Sequence, residues 1–124
     1  MSESTRRIII GDVHGHYDGM MRLLEAIAPN TADQVYFLGD LIDRGPQSAQ
    51  VLDFVKNSSY VSLMGNHEQL LLNAFPNGTL VTEALQGWLY SGGQATVNSY
   101  RDNIHDLIDH LSWIATFPTY LDLG

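Results

Sequence analysis

The chain has 124 residues, 44% of them apolar and 16% charged, enough for one domain with one core and too few for two. Fourteen acidic residues against six basic ones leave a net charge of −8, which excludes a Lys/Arg footprint on a nucleic-acid backbone and disfavours an anionic membrane surface. Cysteine is absent, so disulfides and thiolate metal sites are excluded as well.

The N-terminal apolar run, Ile8 to Ile10, stops at Gly11-Asp12, well short of the ~7–15 residues of a signal-peptide core. No apolar run approaches the ~18 residues of a membrane span. A soluble, cytoplasmic protein without membrane or nucleic-acid partners is therefore expected. Residues 7–11 read as a strand, because Ile8, Ile9 and Ile10 are β-branched and continuous, as in a strand buried on both faces. Met20, Leu23, Leu24 and Ile27 follow at helical spacing, and Pro29 ends that helix. Residues 35–38 form a second buried strand. Gly45-Pro46 opens a second helix with Ser48, Val51, Leu52 and Val55 on one face. Residues 60–64 make the third strand and 68–75 begin a third helix. This β-α-β-α-β-α order predicts an α/β fold with a mostly parallel sheet flanked by helices.

The second half reads differently. Residues 79–90 are expected to be helical, with a break at Gly92-Gly93. Residues 94–100 form a short helix. Ile104, Leu107, Ile108, Leu111 and Ala115 define another helical face that Pro118 ends, and 119–123 resemble the start of a strand.

Each of the three strands ends in glycine followed by polar residues: Gly11-Asp12-Val13-His14-Gly15, Gly39-Asp40-Leu41-Ile42-Asp43-Arg44-Gly45 and Gly65-Asn66-His67-Glu68. Ligands of open parallel sheets bind outside the carboxyl ends of the strands, so the sheet should gather Asp12, His14, Asp40, Asp43, Arg44, Asn66 and His67 on one rim. Three carboxylates there would repel by about 1–4 kcal/mol per pair at ~4 Å, which calls for a counter-ion. Carboxylate, imidazole and amide oxygen without sulfur suit Mn, Fe or Zn. Arg44 offers a fork for phosphate oxygens, and His67 is a residue type that can protonate a leaving oxygen. The chemistry expected is metal-assisted hydrolysis of a phosphate ester by metal-activated water.

The motifs GDVHG, GDLIDRG and GNHE resemble the N-terminal signatures of the calcineurin-like metallophosphoesterases, in particular the bacterial and phage-type Ser/Thr phosphoprotein phosphatases. The segment WLYSGGQATVNSY is similar to the stretch that follows them there. The resemblance implies the first part of a metallophosphoesterase α/β sandwich and a two-metal centre of the Mn or Fe/Zn type. It further implies Asp12 and His14 on the first metal, Asp40 bridging, Asn66 on the second, His67 as general acid oriented by Asp43, and Arg44 on phosphate. The substrate implied is a phosphoprotein or small phosphoester; a dinucleoside-polyphosphate hydrolase is the alternative. The family's later histidines, in HAG-like and GH-like contexts, do not occur in these 124 residues. A single domain incomplete at its C-terminus is therefore expected, weak or inactive alone. A non-catalytic metal-binding remnant, or an interaction module that self-associates through an unfinished sheet edge, is the contrasting reading.

Other candidates have plainer readings. His105 and His110 each have a carboxylate four residues away, as in solvated surface pairs. His16 lies outside the ligand pattern. Glu68 reads as a first-turn carboxylate supporting the Asn66-His67 loop, Gly92-Gly93 as a helix break, and Trp88 and Trp113 as core.

Overall fold

The computed structural model describes residues 5–76 and 79–123. Three parallel strands form one sheet in the order β1 (Arg7–Ile10), β2 (Gln34–Phe37), β3 (Val61–Ser62). Helix α1 (Tyr17–Ile27) connects the first pair and α2 (Ser48–Asn57) the second, as parallel strands require. Helices α3 (Asn66–Ala74), α4 (Thr82–Trp88), α5 (Gln94–Tyr100) and α6 (Ile104–Ile114) follow. The segment Leu89–Gly93, kinked at Gly92, joins α4 to α5. No described helix is long and apolar enough to cross a membrane.

Register decides which side chains are buried. Ile8 pairs with Val35, and Ile10 with Phe37, which in turn pairs with Ser62. This face packs into one core with Met20 and Leu24 of α1 and Val51, Leu52 and Val55 of α2. The opposite face carries Ile9, Tyr36 and Val61, which are also register partners. There Ile9 is 56% exposed, Val61 38% and Leu38 49%. The expectation that Ile8 to Ile10 are buried on both faces is thus corrected. Strand side chains alternate, and among the described residues the helices cover only one side.

Other departures are local. Leu23 is exposed and Met20 with Leu24 carries the α1 face. The third strand is two residues long, although Leu63 N still donates to Phe37 O at 2.9 Å. Residues 119–123 form no strand; the carbonyl of Pro118 accepts from Met64 N at 2.8 Å, beside the end of β3. On α6, Ile104 and Ile108 are exposed, while Leu107, His110 and Ile114 face the core. His110 is therefore no surface pair. Its Nδ1 lies 2.6 Å from Tyr100 Oη, a partner that removes the penalty of burying a polar ring.

Candidate metal centre

The loops after β1 and β2 are laced together by their backbones. Val13 N and His14 N donate to Asp40 O, Gly15 N to Leu41 O, Gly45 N to His14 O and Gln47 N to Gly15 O, at 2.8–3.2 Å. Such close approach requires glycine: a Cβ on Gly45 would lie 2.2 Å from His14 O. His14, Asp40, Asp43 and Arg44 all have positive φ, at 45°, 51°, 76° and 73°. Each costs of order 1 kcal/mol, and such strain persists only where surrounding structure over-determines it.

The lacing gathers one donor atom each from Asp12, His14 and Asp40 within 4.8 Å of one another. His14 Nδ1 lies 2.9 Å from Ile42 O, and a carbonyl can only accept, so Nδ1 carries the proton. Nε2 then presents its lone pair, 3.7 Å from Asp12 Oδ2. Asp40 is fixed by His67 N, which donates to its Oδ1 at 2.9 Å.

Glu68 is fully buried at the junction of two loops. Its carboxylate accepts from Asp40 N (2.6 Å), Leu41 N (2.9 Å) and Gly65 N (3.0 Å). Burial pushes its carboxyl above the usual range, and the three N–H donors oppose that shift. Glu68 thus supports the Asn66-His67 loop, as expected, and also the Asp40 loop.

His67 Nδ1 lies 2.8 Å from Asp43 Oδ2, and its ring meets the edge of His14 at a centroid distance of 4.9 Å. This contact sets the His67–Asp43 pair beside the Asp12–His14–Asp40 cluster. Asn66 is exposed as the first residue of α3, directly before His67, and Arg44 is exposed directly after Asp43. His16 is exposed at the start of α1 and, with Asp12, lines a 230 Å³ cavity. His105 is exposed and His110 is committed to Tyr100, so neither joins the cluster.

Three residues serve the site without having been named as candidates for it: Ser48, and Trp88 and Thr96 of the WLYSGGQATVNSY stretch. Asp43, fully buried, also accepts from Trp88 Nε1 (3.0 and 2.9 Å to its two oxygens) and from Thr96 Oγ1 (2.7 Å). Asp43 N in turn points at Thr96 Oγ1 (2.9 Å) and Ser48 Oγ (3.1 Å). Trp88 is in the core as its apolar ring suggests, but its N–H serves the site. The available signal was polar: Ser48 and Thr96 are hydroxyls on helix faces that otherwise pack the core.

A model of the calcineurin-like phosphoesterase family matches residues 5–121. Over 66 residues, 52% of this chain and 23% of the relative, the chain is 48% identical to a symmetrical bis(5'-nucleosyl)-tetraphosphatase of Coxiella burnetii. It is 33% identical over 115 residues to a protein of the same description from Psychromonas ingrahamii, covering 90% of this chain and 38% of that one. A metallophosphoesterase structure from Sphaerobacter thermophilus shares the fold with a TM-score of 0.64 at 22% identity, over 95% of this chain and 43% of that one. The chain therefore spans less than half the length of the relatives it matches. With the parallel sheet, two backbone-laced loops joined to the third through Glu68, and a match across nearly every described residue, the chain belongs to the calcineurin-like phosphoesterase family.

Proposed function

We propose that this chain carries the metal-binding portion of a phosphoester hydrolase that cleaves dinucleoside polyphosphates. The observation that carries the reading is the convergence of Asp12, His14 and Asp40 beside the His67–Asp43 pair. Two carboxylates and an imidazole with a fixed tautomer suit a Mn, Fe or Zn ion. Asp12, His14 and Asp40 would hold a first ion, and Asp40 with Asn66 would contribute to a second. Such ions, when bound, neutralise phosphate charge and supply a nucleophilic water near neutral pH. Arg44, exposed on the rim, pairs with phosphate oxygens. His67 gives its Nδ1–H to the Asp43 carboxylate, which stabilises the imidazolium form, and in that form the second proton, on Nε2, is the one that passes to the leaving oxygen.

The substrate class follows the relatives. The motifs lean toward Ser/Thr phosphoprotein phosphatases, but relatives at 33–48% identity are described as bis(5'-nucleosyl)-tetraphosphatases. The dinucleoside reading therefore takes precedence over the phosphoprotein one. A symmetrical cut of a tetraphosphate would yield two nucleoside diphosphates. The second ion keeps only Asp40 and Asn66 here, so the 124 residues alone are expected to bind substrate and to turn it over little or not at all.

Calorimetry with Mn²⁺ tests the first part. Diadenosine tetraphosphate should bind with Mn²⁺ and not with EDTA, and more tightly than a phosphoserine peptide; the reverse preference would return the assignment to protein phosphatase. Robust hydrolysis of p-nitrophenyl phosphate by the monomer in excess Mn²⁺ would sink the expected inactivity.

A further inference from the structure

The segment from Trp88 to Thr96 grips the Asp43-Arg44 dipeptide at three points. Trp88 Nε1 and Thr96 Oγ1 donate to the Asp43 carboxylate, and Gly92 O accepts from Arg44 N at 3.0 Å. Thr96 has one hydroxyl proton, and the carboxylate oxygen at 2.7 Å takes it, which leaves the same oxygen free to accept from Asp43 N. One hydroxyl thus holds both the backbone and the side chain of Asp43.

The consequence is directional. Thr96 Oγ1 donates to Asp43 Oδ1 and Trp88 Nε1 is shared between both oxygens, so Oδ2 is the one that meets His67 Nδ1. The segment also holds two consecutive left-handed residues in place, Asp43 and Arg44. The kink between α4 and α5 brings this about. Gly92, at φ 114°, lies so close that a Cβ would sit 2.8 Å from Arg44 Cγ, and Gly93 lies flat against the Trp88 ring.

We infer that Trp88 and Thr96 are positioning residues: they lock Asp43 so that the His67 Nδ1–H stays on its carboxylate, which leaves Nε2, protonated only in the imidazolium, for the substrate. The catalytic meaning rests on His67 being the proton donor, as proposed above; the lock itself does not. The test is ¹⁵N-histidine NMR at fixed neutral pH on the metal-free protein, reading the His67 tautomer and the exchange of its Nδ1–H with water. Wild type should show the Nδ1–H tautomer with slow exchange. Thr96→Val should mix the tautomers and speed exchange roughly tenfold or more, as loss of one hydrogen bond to a charged group implies, and Thr96→Ser should restore both. A folded Thr96→Val protein with an unchanged His67 spectrum would make Thr96 merely structural and overturn the inference. Should Thr96→Val not fold, Trp88→Phe decides, since it keeps an aromatic ring against Gly93 and removes the N–H; an unmoved tautomer there overturns it equally. No metal enters the readout, so failure of Mn²⁺ binding would count against the proposed function and leave this result standing.

Discussion

Gly11 and Gly39 end successive strands in the same dipeptide, Gly-Asp, yet only one position demands glycine. Gly39 sits at φ 98°, and a Cβ there would lie 2.4 Å from Gly65 N and 2.6 Å from its Cα. These are backbone atoms of the neighbouring strand loop and cannot step aside. At Gly11 φ is not positive and a Cβ meets nothing within 4 Å. Gly39→Ala should therefore cost about 3 kcal/mol or more, and Gly11→Ala should stay within about 1 kcal/mol of wild type. Urea denaturation midpoints check this; equal effects at the two sites would refute the close-approach argument. At this scale the ligand types were legible, because Asp12, His14, Asp40 and His67 follow strands in a pattern that few unrelated loops share. Thr96 lies in the recognised stretch WLYSGGQATVNSY, but its bond to Asp43 was not legible. A hydroxyl in mid-helix carries no local mark of the carboxylate 53 residues earlier that it bonds.

Between elements, the strands and the first three helices follow from β-branched runs and helical spacing, whereas the second half depends on tertiary partners. Gly92-Gly93 reads as a break, and the chain does kink there, with Gly92 in a non-helical conformation at φ 114°; what the sequence does not mark is the close approach of these glycines to Arg44 and Trp88. His110 shows the same limit. Carboxylates four residues away suggest a solvated ring, yet Tyr100 on α5 claims it, and Trp113 packs against it at 6.2 Å. Burial pulls its pKa below the ordinary 6.5, helped by Lys56 on α2 and opposed by Asp53 on α2 and by Asp106 and Asp109 on α6. A depressed histidine pKa means that the unfolded chain binds more protons just below pH 6.5. Stability from this bridge is then fully present above 6.5 and is lost as pH falls through the lower folded value. Thermal midpoints should drop from pH 7.5 to 5.5, and the drop should shrink in His110→Gln, with the other histidines common to both proteins. An unchanged pH dependence in that variant would place the titration elsewhere.

For the molecule as a whole, length and charge acquire physical content from the sheet. The −8 charge includes Asp12, Asp40 and Asp43 around one centre, so a bound ion changes the field that an anionic substrate meets. The sheet face away from the helices is the counterpart in the apolar balance. Ile9, Leu38 and Val61 stand exposed on it, with Tyr36 half-buried between them, so neighbouring strands contribute to one apolar surface. The expected route to self-association was a sheet edge extended by residues 119–123, but those residues form no strand, and the open face is the larger apolar feature. Wet apolar patches bind one another, so these 124 residues on their own are expected to self-associate through that face. Sedimentation velocity should show mass rising with concentration, and a hydrophobic dye should bind the monomer. Replacing Ile9 and Val61 with lysine and threonine should abolish both signals while leaving Mn²⁺ affinity intact, because neither side chain belongs to the cluster. A wild-type protein that stays monomeric at millimolar concentration and binds no dye would show the face to be inert.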